Sequence, residues 1–273
     1  MRIANALSGA VLLVSVAACI SAASGHRNTV RVLVYNIHAG KDAARIDNLD
    51  RVAEIIRRSR ADIVLLQEVD NRTRRSRGVN QLERLRVLLG FKAVYGKAID
   101  YDGGEYGIGI LSRWDISSSR FAILPVELTD SADRRNYEER GALVARIEAP
   151  WGMIRVIDTH LDAGRGDSMR VRQARTLVTV ANAERDSGFA VLGGDLNSEP
   201  AGPVVHMLES AGWIDLFSRC GSGERFTFPA AKPVKRIDFL FGGKDSRCAT
   251  ASVLNTQASD HRPVLFEVTA RRD

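Results

Sequence analysis

The stretch that most constrains this chain runs Phe189-Ala190-Val191-Leu192-Gly193-Gly194-Asp195-Leu196-Asn197-Ser198-Glu199-Pro200. It reads as a short buried strand, two glycines, and then a carboxylate and an amide two residues apart. Residues i and i+2 of an extended segment point the same way, so Asp195 and Asn197 are expected to face one site at the strand's end. The glycines let a ligand or another backbone come close. Pro200 keeps the strand from continuing in a ladder. The carboxyl end of a buried strand is where an α/β protein usually keeps its chemistry. Taken alone, the stretch has a plainer reading, because Gly-Gly-Asp also makes ordinary turns.

Three other apolar runs close in the same way. Val30 to Asn36 and Asp62 to Glu68 are strand-like and end on Asn36 and Glu68, and a strand from Gly152 ends Asp158-Thr159-His160. Between them, apolar positions Leu49, Val52, Ile55 and Ile56 recur at helical spacing behind a candidate cap, Asp47. A second helix is predicted from Asn80 to Leu89 with Gly90 as its stop. A long helix is predicted from Ser168 to Asp186, and a short one near Val204 to Ser210. Further strands are predicted over Phe91–Ile99, Ile108–Ser112, Gly141–Glu148, Ile237–Phe241 and Arg262–Val268. The strand at Gly141 joins the one from Gly152 as a hairpin. Gly103 to Gly107 reads as a tight glycine loop, and Ser117 to Glu139 as a polar loop over the site mouth. Alternating strands and helices give an α/β class, and the late strands without intervening helices argue against a purely doubly wound sheet. One domain over 27–271 is the simplest organisation.

The first residues speak to location. Met1-Arg2, an apolar run from Ala10 to Ile20 and the small residues Ser21-Ala22-Ala23-Ser24 form an export signal over 1–25. The run is short for a membrane span, which needs about 20 apolar residues. Val16-Ala17-Ala18-Cys19 also resembles a bacterial lipobox, so Cys19 is either lipidated, attaching the protein to a membrane, or removed by cleavage after Ala23. The protein is therefore expected to be periplasmic, membrane-anchored as a lipoprotein, or secreted. Cys220 and Cys248 then remain as a pair in an oxidising compartment and are expected to form a disulfide. The formal charge of +6 suits an anionic substrate without requiring one.

The matching stretches Tyr35-Asn36, Leu66-Gln67-Glu68-Val69, Thr159-His160-Leu161, Gly194-Asp195-Leu196-Asn197, Arg236-Ile237-Asp238-Phe239 and Ser259-Asp260-His261-Arg262-Pro263 together resemble the endonuclease/exonuclease/phosphatase superfamily, the fold of deoxyribonuclease I. The resemblance implies a four-layer α/β sandwich, two packed mixed β-sheets flanked by helices. It implies Mg²⁺, with Mn²⁺ able to substitute, held by Glu68 as main ligand with Asn36 and Asp260; magnesium prefers oxygen ligands and keeps several waters. His160 would bind a non-bridging phosphate oxygen. Asp195 would orient or deprotonate the attacking water, and Asn197 would hold the phosphate. His261 would act as acid/base or phosphate ligand, with Asp238 fixing its tautomer. Arg140 is a further candidate for a phosphate contact.

The expected activity is metal-dependent phosphoester hydrolysis of the phosphodiesterase type, by a monomer. Nucleic acid, lipid and small phosphoesters all remain open as substrates, because this superfamily varies its loops on one core. Arg72, Arg74, Arg75 and Arg77 could track a phosphate backbone or form a solvated loop. A second class of reading is an envelope binding protein that keeps the fold without catalysis, which the intact acid, amide and histidine set argues against. His38 stands where nuclease relatives often carry an acid, which leaves a second metal contact open. His206 reads as a packed helix residue and His26 as tail. No HExxH, paired CxxC, GxSxG or Walker loop is present, which removes the key residues of zinc-protease, serine-hydrolase and P-loop chemistry.

Overall fold

A computed structural model describes residues 28–124, 138–185 and 188–270. The export signal, Cys19, His26 and the 125–137 part of the expected mouth loop lie outside the described residues.

Among the described residues, twelve strands form two sheets of six. The first holds β1 (Thr29–Asn36), β2 (Ile63–Asn71), β3 (Lys92–Tyr101), β4 (Gly104–Ser112), β11 (Ser246–Val253) and β12 (Val264–Ala270), in the spatial order β11-β12-β1-β2-β4-β3. The second holds β5 (Ile116–Leu124), β6 (Arg140–Ala149), β7 (Gly152–His160), β8 (Ala190–Asp195), β9 (Ile214–Asp215) and β10 (Asp238–Gly242), in the order β5-β6-β7-β8-β10-β9. Between these strands the β1–β2 and β7–β8 pairs run parallel and the other pairs are antiparallel, so both sheets are mixed.

The apolar runs are continuous because both faces of the central strands are covered. On β1, Val32 and Val34 turn inward onto Leu143, Val156, Val191 and Leu240 of the opposite sheet. Leu33 and Tyr35 turn outward, under helices α1 (Leu49–Ser59) and α2 (Gln81–Leu89). The outer face of the second sheet, with Ile157 and Leu192, packs in the same way on α3 (Ser168–Arg185) and α4 (Pro203–Ser210). Each such side chain contributes about 1.5–3 kcal/mol on burial, so the ends of β1, β2, β7 and β8 stand on a stiff base.

Local signals explain most boundaries. Asn80 caps α2 by accepting from the Glu83 amide at 3.0 Å, and Gly90 ends it in the left-handed region at φ 69°. Asp47 is not the cap of α1. Asn48 holds that position, and Asp47 instead pairs with Lys41 at 2.9 Å and Arg77 at 3.2 Å.

Three further expectations are corrected. Residues 104–107 are strand rather than loop, and only Asp102 and Gly103 turn the β3–β4 hairpin. Gly107 lies in the ladder because a Cβ there would collide with the carbonyl of Gly96. Residues 117–124, expected in the mouth loop, belong to edge strand β5. His206 is exposed on α4, not packed. Strands β9 and β11 and helix α5 (Leu216–Cys220) are additional elements. Cys220 and Cys248 are joined in a disulfide that ties α5 to β11, with Cα atoms 5.8 Å apart.

Candidate active site

Strand register gathers the polar strand ends. Along the parallel β7–β8 pair, His160 lies opposite Asp195; along the antiparallel β8–β10 pair, Asp238 also lies opposite Asp195. On the other sheet Asn36 lies opposite Gln67, next to Glu68. Asn36, Glu68, His160, Asn197, Asp238, Asp260 and His261 therefore surround one buried carboxylate, Asp195.

Backbone irregularity aims two of these groups. Glu68 sits in a bulge, where the β2–β4 register shifts between Leu66 and Val69, and its φ is +57°. A bulge bends the strand and re-aims the side chain, which turns Glu68 to the cavity. Asn197 also has positive φ, +48°. The extended i, i+2 geometry expected for Asp195 and Asn197 does not hold, because β8 ends at Asp195. The pair still converges, since Asp195 Oδ1 accepts from the Asn197 amide at 2.9 Å. Left-handed conformations in non-glycine residues cost about 1–3 kcal/mol each and cluster where function needs them. Gly194 serves the same place, since a Cβ on it would collide with Thr159 O of the neighbouring strand.

The two histidines meet Asp195 Oδ2 through their Nε2 atoms, each at 3.6 Å. His261 Nδ1 lies 3.0 and 3.2 Å from the two oxygens of Asp238. Burial opposes charge on this imidazole, but Asp238 and Asp195 outweigh it and raise its pKa to about 10. His160 Nδ1 faces an arginine instead, Arg140 Nη1 at 2.9 Å. Burial, then the charges of Arg140 and His261, hold His160 well below the ordinary histidine range. Burial raises Asp195 to about 7; Asp238 adds to the rise and His261 opposes it. One imidazole is thus kept charged and the other neutral, with a carboxylate near its titration point between them.

The residues expected to hold metal form the other wall. Glu68 and Asp260 line a cavity of about 310 Å³ with Arg140, His160, Asp195, Asn197 and His261. Asn36 Nδ2 donates to Glu68 Oε1 and to Asp195 Oδ2, both at 3.1 Å, while its Oδ1 accepts from the His38 amide at 3.0 Å. Asn36 was expected as a ligand; in this arrangement it organises two carboxylates and offers no oxygen to the cavity. His38 stands 3.8 Å from Asp260 Oδ1, with a buried Nδ1 that has no hydrogen-bond partner. Glu68 and Asp260 are hard oxygen donors facing solvent-accessible space, which fits magnesium or manganese. Asp195, Asp238 and His261 also present ligand atoms within 4.8 Å of one another. That trio suits a cation less well, because both ring nitrogens of the charged His261 already face carboxylates.

Arg140 is buried, with Nη1 on His160 Nδ1 and Nη2 on Glu138 at 2.6 Å. The arginine run is tied to acids: Arg74 to Asp102 at 2.9 Å, Arg75 to Asp70 at 2.8 Å and Arg77 to Asp47 at 3.2 Å. Arg75 also lies over Tyr101, 4.5 Å from the ring centroid, at the cavity edge.

Several groups of the site lie outside the set expected from sequence. Phe228 covers the His261 ring at 4.8 Å between centroids, and Tyr101, Tyr106 and Glu138 line the cavity. Beneath the site, Gln67 Nε2 donates to Asp158 Oδ1 at 2.6 Å and so joins the two sheets. A carboxylate inside the apolar run Val156-Ile157-Asp158 was the available signal for that pair.

Comparison with known proteins places the fold. YbhP of Escherichia coli K12 is 28% identical over 258 residues, covering 87% of this chain and 95% of that protein. An endonuclease/exonuclease/phosphatase family protein from Bacteroides thetaiotaomicron superposes with a TM-score of 0.75 at 19% identity, covering 90% of this chain and 99% of that one. A mannosyl-6-phosphatase from the same organism superposes at 0.73 with 20% identity, covering 88% and 99%. The sequence model of the Endonuclease/Exonuclease/phosphatase family matches residues 33–261, an interval that takes in every site residue above, and the chain belongs to that family.

Proposed function

We propose that this protein is a divalent-metal-dependent phosphoester hydrolase in which water attacks phosphorus directly. The observation that carries the reading is Asp195, buried between a charged and a neutral imidazole and joined through Asn36 to Glu68. Ionised Asp195 takes a proton from the attacking water, as a base with a pKa near the working pH does best. His160 and Asn197 donate to a non-bridging phosphate oxygen as charge grows there. His261, held by Asp238, keeps a positive Nε2–H facing the same space. Glu68 and Asp260 would hold Mg²⁺ or Mn²⁺, which when bound neutralises phosphoryl charge.

We further propose a small phosphoester as substrate. The cavity is about 310 Å³, room for a phosphate and a group of roughly sugar size, and is walled by Tyr101, Tyr106 and Phe228. Three of the four arginines that could have followed a nucleic-acid backbone are paired with aspartates. The Cys220–Cys248 bridge supports an exported location.

A substrate panel tests the proposal: supercoiled plasmid, single-stranded DNA, RNA, sphingomyelin vesicles, hexose 6-phosphates and bis-p-nitrophenyl phosphate, each with Mg²⁺ or chelator. Turnover confined to the small esters supports the reading. Nicked plasmid or cleaved lipid would move the substrate to a polymer or a membrane, and no turnover on any of them would favour a binding protein.

A further inference from the structure

We infer that Arg140 is a positioning residue that locks His160 in one neutral tautomer, with the proton on Nε2. This rests on the proposed hydrolase reading for its consequence but not for its geometry.

Arg140 Nη1 is 2.9 Å from His160 Nδ1, and both side chains are buried, 7% and 4% exposed. A guanidinium has only donors and does not deprotonate in a protein. Nδ1 must therefore be the bare, accepting nitrogen, and the single proton of the neutral ring belongs on Nε2. A proton on Nδ1 would place two donors against each other in a buried site. Protonation of His160 is opposed for the same reason.

On the other side of the ring, Asp195 Oδ2 faces Nε2 at 3.6 Å and is an acceptor, so a proton there meets a carboxylate, and the Asn197 amide beside it must turn its second N–H toward the cavity. Asn197 Nδ2 is 3.2 Å from His160 Nε2 and donates to the Leu161 carbonyl at 3.1 Å, which marks it as the amide nitrogen. With Nε2 protonated, His160 and Asn197 are two adjacent donors, and both line the cavity. One acceptor oxygen on the cavity side satisfies both, which is the arrangement a non-bridging phosphate oxygen needs.

Charged groups facing His160 come from several elements. Arg140 is on β6, Asp195 ends β8, and His261 follows β11. The carboxylates of Glu138, Glu68 and Asp195 face Arg140 and oppose the burial that disfavours its charge. The guanidinium is thus held in place on both sides. A carboxylate at Nδ1, as Asp238 is for His261, promotes a charged imidazole; an arginine there prevents one. The same ring serves opposite ends through the sign of its partner.

The test uses the full mature protein with Mg²⁺ and bis-p-nitrophenyl phosphate, comparing wild type, Arg140→Met and Arg140→Lys. Ring-nitrogen NMR of wild type should show His160 with Nδ1 bare and Nε2 protonated, unchanged from about pH 5 to about pH 8. Arg140→Met removes the donor, so His160 should populate both tautomers and titrate in that window. Its kcat should fall about 10²-fold at alkaline pH, the scale of one lost oxyanion donor. The deficit should shrink as pH drops through about 6.5, because protonation restores the Nε2–H. Arg140→Lys, still a cationic donor, should restore the wild-type ring signature and pH profile.

A wild-type ring that titrates in the window, or carries its proton on Nδ1, overturns the inference even if the Met variant does not fold. So does a pH-independent deficit with an unchanged ring spectrum, which would make Arg140 a direct phosphate contact. If wild type hydrolyses no phosphoester, the hydrolase reading fails while the ring spectra still decide the tautomer.

Discussion

Replacing Asp158 by Asn should stabilise this protein, and increasingly so as pH rises. Asp158 is fully buried on β7, its Oδ1 accepts from Gln67 Nε2 at 2.6 Å, and its Oδ2 has no hydrogen-bond partner. Gln67 Oε1 has none either. Burial pushes the carboxyl well above the ordinary range, against the opposing pull of Gln67 and two backbone amides. The sign follows directly. A carboxyl whose folded pKa is raised binds its proton more tightly in the folded state, so stability is fullest below the unfolded value of about 4. It falls by about 1.4 kcal/mol per pH unit until the folded pKa is reached. Asparagine keeps the Oδ1 acceptor, adds donors on the atom that replaces Oδ2, and does not titrate. The variant should therefore match wild type within about 1 kcal/mol near pH 4, the scale of one hydrogen bond. By pH 8 it should exceed wild type, each kcal/mol of that gap raising Tm by roughly 2–4 °C for a chain of this size. Asp158→Ala should instead strand the Gln67 amide and cost about 1–3 kcal/mol beyond the cavity it leaves. Urea melts at pH 4, 6 and 8, read for unchanged slope, supply the numbers. A stability gap that does not change with pH, or an Asn variant that is destabilised most at pH 8, would refute the buried neutral carboxyl.

Other consequences concern the site and the disulfide. Glu68→Gln should weaken Mn²⁺ affinity at least 10-fold in calorimetry while leaving the far-ultraviolet circular dichroism spectrum unchanged; the scale is that of a lost coordination-sphere contact, and unaltered binding would move the metal elsewhere. Reducing Cys220–Cys248, which closes a sequence separation of 28 residues, should lower stability by about 3–4 kcal/mol in denaturant melts with and without reductant. Phe228→Ala uncovers the His261 ring, now 4.8 Å from the phenyl centroid, and should lower kcat/KM more than global stability. Equal losses in both would reduce Phe228 to a packing residue.

Much of the site was legible because strand chemistry is strict. A buried strand tolerates polar groups at its ends, and Asn36, Glu68, His160 and Asp195 mark four such ends of one rim. The helices were legible through apolar spacing and caps such as Asn80 and Gly90. Edge strands were not. Residues 117–120 of β5 are all exposed, and β11 is mostly polar, so neither shows the apolar alternation that marks a half-buried strand. Gly104 to Gly107 read as a loop because only the fold reveals that another backbone passes against them. The bulge at Glu68 and the left-handed Asn197 are set by tertiary packing, and no local pattern announces them. Arg140 could be suspected as a cation near phosphate, yet its partner, His160 Nδ1, depends on the pairing of β6 with β7.

Everything proposed for this site turns on Asp195 as the proton acceptor of a metal-dependent hydrolysis. The most direct measurement is kcat on the best small phosphoester for wild type and Asp195→Asn, with Mg²⁺ and with chelator, beside a thermal melt of each. Wild type should show metal-dependent turnover that is lost on chelation. The Asn variant should fall about 10²–10⁴-fold, the usual contribution of a positioned acid or base, with the fold intact. Full activity in folded Asp195→Asn, or turnover indifferent to chelator, would contradict that reading.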